Sequence, residues 1–268
     1  MNASEISSAN DSGQGTYFSA AWAVAWRYLH NLYTKPAVFI PGLIFPLFFL
    51  AAFAGGLSAV GDTPRFDYYD FTAFQFGFIL IQASSLAGVF VGFSIAADFE
   101  QGMGRRLMLA TSRRSAILLG YAAGAALRLI VVWVIITAVS LLAGMEVRGN
   151  GYDLAGMYML GLLSNVVALL FSAGIAFRFR SLQAGPLMQM PVFIALFLAP
   201  VYVPQDLLTG WIEPVARVNP VTALLNGARS LMAGEPTGIL LAYGVAAGMI
   251  ALLGIWAVRG LRKAEVAG

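Results

Sequence analysis

Six apolar runs separated by short polar stretches dominate the chain. They cover Ala37–Val60, Phe71–Ala97, Ala116–Met145, Leu154–Phe177, Pro186–Val203 and Thr237–Val258. A helix needs roughly 20 apolar residues to cross a bilayer, so the pattern predicts six transmembrane helices in an all-α integral membrane protein. Ahead of them, residues 1–16 are small and polar, with neither the basic nor the apolar region of a signal peptide. They read as a disordered tail. Residues 17–34 switch to helical periodicity, with Trp22, Trp26, Leu29 and Tyr33 on one face and Arg27, His30, Asn31 and Thr34 on another. That division suits an amphipathic helix lying flat in the headgroup region. Lys35-Pro36 stops it, because the residue before a proline avoids the α conformation.

Within the runs, polar and irregular positions stand out against the apolar background. The first carries Pro41 and Pro46 among Phe39, Phe45, Phe48, Phe49 and Phe53, which predicts a kinked, ring-rich helix. The second holds Gln75, Gln82, Ser84 and Ser85, with Gly88 and Gly92 at the spacing that lets two membrane helices approach closely. The third is 30 residues long. At 1.5 Å per residue it measures about 45 Å, so it projects beyond a ~30 Å hydrocarbon core. Arg128 lies inside it, where it must snorkel, face a cavity or pair with an acid; Asp98 and Glu100 are the expected partners. The fifth is short and contains Gln189, Pro191 and Pro200. Between spans five and six, residues 204–236 hold apolar pieces too short to span, which predicts two re-entrant half-helices at the outer face. Asn219-Pro220-Val221-Thr222 reads as a helix start, with the helix running to Gly234.

Composition narrows the class. The chain is 59 % hydrophobic and 11 % charged, against about 25 % charged for a soluble domain. It cannot cover a water-facing surface, and its 268 residues leave one membrane domain, 17–268, behind the tail. Without cysteine there are no disulfides or thiolate metal sites. The pI near 9.3 reflects where the charges sit along the chain and implies no nucleic acid. With six spans and a cytoplasmic N-terminus, Arg27, Lys35, Arg105, Arg106, Arg113, Arg114, Arg178, Arg180, Arg259, Arg262 and Lys263 lie inside. Arg65, Arg148, Arg217 and Arg229 lie outside, so the positive-inside rule puts both termini in the cytoplasm. There is no P-loop, no G-x-S-x-G, a single histidine (His30), and no acidic residue inside a span. Own-energy transport, histidine-based catalysis and a buried proton relay all lack raw material.

The longest polar interruption, Asp98–Leu119, holds Asp98, Glu100, Gly102 and Gly104, then Arg105, Arg106, Arg113 and Arg114 around Leu107, Leu109 and Ala110. Residue types alone leave two readings level. One is a short amphipathic helix that offers a face to a cytosolic partner. The other is a basic loop that fixes topology.

Three features in order, placed against the six-span layout, carry a resemblance. They are Glu100-x-Gly102 with Arg105–Leu109 after the second span, Ser112–Gly120, and Asn219-Pro220 followed by Arg229. The chain resembles the type-2 ABC transporter permeases, the daunorubicin-resistance-type drug and lipid exporter subunits above all. Where that family's first cytoplasmic loop has a proline, this chain has Ala110-Thr111. The resemblance implies two permease subunits, a second copy or a paralogue, above two cytosolic ABC ATPases that hold ATP and Mg²⁺. This chain itself then binds no cofactor and sits among the lipids of the plasma membrane. It also implies that the first cytoplasmic loop is a coupling helix, with Asp98, Glu100, Gly102, Arg105, Arg106, Arg113 and Arg114 as coupling residues. Spans one, two and five line the route in that family, which points here to Phe45, Phe49, Gln75, Gln82 and Gln189; Arg128 of span three joins the path as a residue that can face an inner cavity. Asn219, Pro220 and Arg229 shape the outer gate region. The function implied is export of a lipophilic drug or lipid-like molecule. Two alternatives stay open: a polysaccharide or teichoic-acid exporter of the same family, and a membrane-embedded lipid-modifying enzyme.

Overall fold

The computed structural model describes residues 3–34, 36–110 and 115–266; side chains are described from residue 17 on, apart from 32–33, 36–39, 41, 105, 108–110 and 263–266. Among the described residues every regular element is helical. In chain order these are α1 (Ala3–Thr34), α2 (Pro36–Leu50), α3 (Phe71–Glu100), α4 (Met103–Ala110), α5 (Ser115–Leu142), α6 (Gly151–Phe179), α7 (Gly185–Phe197), α8 (Ile212–Val218), α9 (Pro220–Met232) and α10 (Ile239–Val266).

Among the described residues, four helices are long and apolar enough to cross a membrane: Phe71–Glu100, Ser115–Leu142, Gly151–Phe179 and Ile239–Arg262. Local chemistry sets their ends. The Asp70 carboxylate accepts from the Thr72 and Ala73 amides at 3.1 and 2.9 Å, so α3 starts there. Asn150 and Asp153 form a reciprocal capping box that starts α6. The first and fifth apolar runs are shorter as helices than their sequences suggest. After Leu50 the winding loosens into a π-helical turn, Ala51–Gly55, and regular helix stops at Gly55-Gly56. α7 ends at Phe197 rather than Val203, because Pro200 cannot continue it and Pro191 already interrupts its ladder. Residues 3–16, expected as a disordered tail, form the opening of α1, where no proline breaks the chain.

α3 is the centre, buried along almost its whole length. α6 packs on one side of it, α2 and α7 on another, while α5 carries α1 and α6 carries α10. The α3–α6 seam is closed by small residues. A Cβ on Gly88 would strike the Asn165 carbonyl and the Leu169 amide, and one on Gly92 would meet Ser172 Cβ at 2.6 Å. Hydrogen bonds run through the same seam: Asn165 Nδ2 donates to the Ser84 carbonyl at 2.9 Å, and the Ser85 and Ser164 hydroxyls meet at 2.6 Å. Close approach and buried donors reinforce each other here, since hydrocarbon gives polar groups no other partner.

The α1–α5 contact has the same logic. Ala21, Val24, Ala25 and Tyr28 form the buried stripe of α1, and Gly120 and Gly124 of α5 accept it. Ala21 stands beside Gly120 and Tyr28 beside Gly124, so over these turns α1 follows α5 and does not lie flat across it. Trp22 and Trp26 point away, both about 60 % exposed. The aromatic face faces outward, and the small-residue face makes the fold.

Gly88→Val tests the seam. Overpacking costs about 1–3 kcal/mol, and here the obstacle is backbone, so the loss should reach the top of that range. Thermal unfolding in detergent measures it; a variant that melts with the parent would mean that α3 and α6 are not closely joined at Gly88.

Candidate functional site

At the end of the bundle that carries the arginine-rich segment, three helices meet on one carboxylate. Asp98, 8 % exposed, lies in the last turn of α3. Arg27 of α1 approaches it side-on: Nη1 donates to Oδ1 at 2.9 Å, and Nη2 donates to Oδ2. The Tyr121 hydroxyl of α5 donates to the same Oδ2 and accepts from Arg27 Nη2 at 3.1 Å. The Asp98 carboxylate holds the Arg27 guanidinium above its ordinary range, by hydrogen bonding before anything else. Asp98 is thus turned inward, and it locks α1, α3 and α5 together.

Glu100 points the other way. Its Oε1 accepts from the Ser181 hydroxyl at 2.7 Å and the Leu182 amide at 2.9 Å, tying the end of α3 to the turn between α6 and α7. That turn is built sharply: Arg180 takes the left-handed conformation at the end of α6 (φ 53°), and Ser181 caps the 3₁₀ turn Leu182–Ala184. Gly102, with φ +74°, makes the reversal from α3 into α4 that a side chain would strain. Along α4, Leu107 packs toward the core, Arg106 is exposed, and Gly104 is pressed on the Phe99 ring. α4 contains Arg105, whose side chain lies outside the described residues, as do Arg113 and Arg114. The structure therefore gathers Asp98, Glu100, Gly102 and Arg106 at one end and adds Arg27, Tyr121 and Ser181, which sequence reasoning missed. Arg27 was legible as a charge opposite the tryptophans; nothing local announced its partner.

Arg128 does not pair with Asp98 or Glu100, as expected from sequence; both acids are engaged elsewhere. It is 2 % exposed and turned toward α1 and α2. Nη1 donates to the Tyr28 hydroxyl at 3.3 Å, Nη2 lies against Gly42, and the guanidinium sits 5.3 Å from the Phe90 ring. Its level in the bundle explains the difference: Tyr28 and Gly42 stand beside Arg128, while Asp98 lies beside Tyr121, about two turns away along α5.

Between α2, α3 and α7 lies a wall of rings. Phe49 meets Phe45, Phe53, Phe78 and Phe197 at 5.3 to 6.5 Å between centroids. Phe45 also reaches Phe193 at 6.3 Å. Gln75, Phe78 and Gln82 follow one another at i, i+3 and i+7 on α3, which places both amides on the stripe that faces this wall. Gln75 and Gln82 are fully buried, and their amide atoms have no hydrogen-bond partner among the described residues. Gln189 sits half-buried on α7, one turn before Phe193.

At the opposite end Arg229 of α9 is buried and faces carbonyls. Nε donates to Phe74 O at 3.1 Å, Nη1 to Pro200 O at 2.7 Å and Nη2 to Val201 O at 3.2 Å. The Phe74 ring lies 3.3 Å from the guanidinium. Asn219 starts α9 as expected, accepting from the Val221 amide at 3.0 Å, with Pro220 at the first helical position. Its Nδ2 donates to Ala195 O of α7 at 2.6 Å. The Tyr68 hydroxyl donates to the Arg229 carbonyl at 2.8 Å, and burial pushes that hydroxyl's pKa up, so it remains a donor. Beside these ties opens a cavity of about 620 Å³ lined by Asp67, Asp206, Glu213, Glu235, Arg217 and Asn226 among others.

Set against known proteins, residues 19–233 match the family model of the ABC-2 type transporter. The chain is also similar to the daunorubicin resistance ABC transporter permease protein DrrB1 of Streptomyces coeruleorubidus, with 25 % identity over 256 residues, 92 % of this chain and 87 % of that protein.

The Arg27–Asp98 pair gives a direct test. Removing one partner of a buried ion pair leaves the other charge stranded, so Asp98→Ala should lower stability by about 1–3 kcal/mol. The double change Arg27→Ala with Asp98→Ala should recover part of that loss. A double-mutant cycle read by thermal melting measures the coupling; strictly additive losses would mean that the two side chains act separately.

Proposed function

The chain belongs to the ABC-2 type transporter family, and from that premise we propose that it is the permease subunit of an ATP-driven exporter of a lipophilic drug or lipid-like cargo. Membership makes it the membrane-embedded transport subunit of an ABC transporter. The finer reading, cargo class and outward direction, is supported by the drug-resistance role in the name of the relative. The observation that carries the route is the ring wall between α2, α3 and α7 with two buried amides facing it. Rings give an adaptable apolar surface, and the amides of Gln75 and Gln82 give hydrogen bonds to a cargo with hydroxyl or carbonyl groups once the wall parts. α2 and α7 are the broken, proline-bearing helices, so they are the walls able to shift. Arg128 lies at the inner margin of this route, held by Tyr28 and Phe90.

In this proposal the chain crosses the membrane six times, with the apolar helices Gly42–Gly55 and Leu182–Phe197 as the short crossings. Both termini are cytoplasmic. A cytosolic ATPase with its own ATP and Mg²⁺ docks on α4, and a second permease copy or paralogue completes the assembly. Among the described coupling residues Glu100, Gly102 and Arg106 are exposed, and Arg106 is the cation among them. Asp98 and Glu100 act behind it: a displacement of α4 reaches α1 and α5 through Asp98 and the foot of α7 through Glu100. A sugar-polymer exporter would need a wide polar channel. A wall of phenylalanines with two amides favours the smaller lipophilic cargo.

Two experiments follow. Gln75→Leu and Gln82→Leu remove amides with no partner, so each should raise thermal stability by about 1–3 kcal/mol. Each should also slow efflux of a fluorescent lipophilic cargo bearing hydroxyl or carbonyl groups. Undiminished efflux in both variants would remove the amides from the route. Sidedness can be read cleanly because the chain has no native cysteine. A cysteine at Asp67 should react with an impermeant maleimide added to intact cells, and one at Arg106 should be protected. The Arg106→Glu variant should insert normally yet lose its copurifying ATPase; labelling at position 106 from outside would overturn the orientation.

A further inference from the structure

α7 has two working faces. Phe193 and Phe197 turn to the ring wall, and Pro191, Val192 and Ala195, on the other side of the helix, line a second cavity of about 210 Å³. Its floor is α6, at Ser164 and Phe171, its far wall is α10, at Met249 and Leu253, and Pro220 of α9 roofs it. α7 and α10 both lean on α6 and leave this cleft between them. Beside its lining residues, Ile194 of α7 and Leu252 of α10 are exposed on the apolar outer surface.

We propose that this cavity is a binding site for one acyl chain of a membrane phospholipid, and that the chain held there sets how far α7 can move from α3. Four observations select that ligand. The cavity lies at mid-span, level with Ser85 and Ser164, where the surroundings are hydrocarbon. Its polar lining groups, those two hydroxyls, satisfy each other at 2.6 Å and ask nothing of a ligand. At about 210 Å³ it falls below the roughly 300–1,000 Å³ of sites that hold drug-sized molecules, yet it admits a run of methylenes. It lies between α7 and α10, two helices that expose apolar residues outward, on the side of α7 away from the ring wall.

The consequence follows from how thin the partition is. α7 is a single helix of 13 residues with a proline inside it. It is held at its far end by Asn219 on the Ala195 carbonyl, beside the cavity roof. A chain seated behind Val192 and Ala195 opposes any swing of Phe193 and Phe197 away from α3. Binding depends on the cavity alone, whereas the effect on transport rests on the ring wall being the route.

The test uses the full chain in vesicles of phosphatidylethanolamine and phosphatidylglycerol, doped with a phosphatidylethanolamine that carries a diazirine in mid-chain. After illumination, peptide mapping should find adducts on Val192 and Met249 beyond those on the exposed Leu252. Leu253→Trp and Ala195→Phe, which fill the cavity from opposite walls, should lose the adducts at the lining and keep those at Leu252. Equal adducts at the lining in both filled variants would overturn the site. Displacement of the adducts by excess transported cargo would assign the cavity to cargo and overturn the lipid. The regulatory half has its own readout: efflux by the parent should change with acyl-chain length, and efflux by Leu253→Trp should not. If both respond alike while the adducts behave as expected, the chain binds without restraining α7 and that half falls. Failure of the route reading is separate, because it would appear as Gln75→Leu and Gln82→Leu variants with undiminished efflux and unaltered adducts.

Discussion

Every polar backbone group at membrane depth must find its partner inside the protein, and the whole arrangement of this chain turns on where that rule is hardest to meet. α7 stops early, α9 begins with a proline, and between them lie only a 3₁₀ turn, the short helix α8 and the loops that join them. The groups exposed by these breaks are met by two side chains. Arg229 spreads its planar set of donors over the carbonyls of Phe74, Pro200 and Val201, joining the start of α3 to the frayed end of α7. Asn219 uses its oxygen to start α9 and its nitrogen to hold Ala195 O, a carbonyl the end of α7 leaves over. A lysine could not replace that arginine, since one ammonium cannot reach three carbonyls in a plane while stacking on Phe74.

The two ends of the bundle are therefore held by different chemistry. The far end is fixed by donors on backbone carbonyls, which have nowhere else to go in a low dielectric. The basic end is held by a carboxylate shared among an arginine and a tyrosine, and by Glu100 on an exposed turn. The exposed Glu100 tie can exchange partners with water at low cost; the buried Asp98 cluster and the carbonyl ties at depth cannot. If the proposed ATPase docks at α4, a displacement entering there would meet elements that yield first at Glu100, next at α7, and last at Arg229. That ordering follows from burial and needs no special hinge.

Much of this was legible in the residues, for definite reasons. The Gly88/Gly92 pair foretold that α3 packs closely on another helix because steric room is a local property; that the partner is α6 was not legible. Asn219-Pro220 foretold a helix start because capping is local too, and the start of α9 is where it was expected. The partner of Arg128 was not legible: choosing among Asp98, Glu100 and Tyr28 depends on how α1 stands beside α5, which Gly120 and Gly124 decide from a distance. The same contact decides which face of α1 packs against the protein. Tryptophans are the larger apolar surface, yet a stripe of Ala21, Val24 and Ala25 fits against glycines and wins the inner position. The fifth span read as longer than its helix because apolar composition does not register that Pro200 ends the ladder.

Gln75 and Gln82 mark where stability and function separate. Several buried polar groups here are explained by the fold: Asn165 bonds Ser84 O, Ser172 bonds Gly88 O, and Arg229 bonds three carbonyls. Buried hydroxyls that lack a partner, such as Ser140 and Thr222, are small. A glutamine amide is another matter, since it brings two donors and an acceptor into a site where leucine would pack with none. Leaving such a group unpaired costs about 1–3 kcal/mol, and two on one stripe would be a persistent burden on a protein that only had to stay folded. The cost is tolerable if the packing around Phe49, Phe78 and Phe197 is one of two arrangements, and if the amides are paired in the other. On that view the ring wall is held together by dispersion and strained by its own amides, which keeps the two arrangements close in free energy. A cargo with hydrogen-bonding groups then favours the open one by supplying the partners that the closed one lacks.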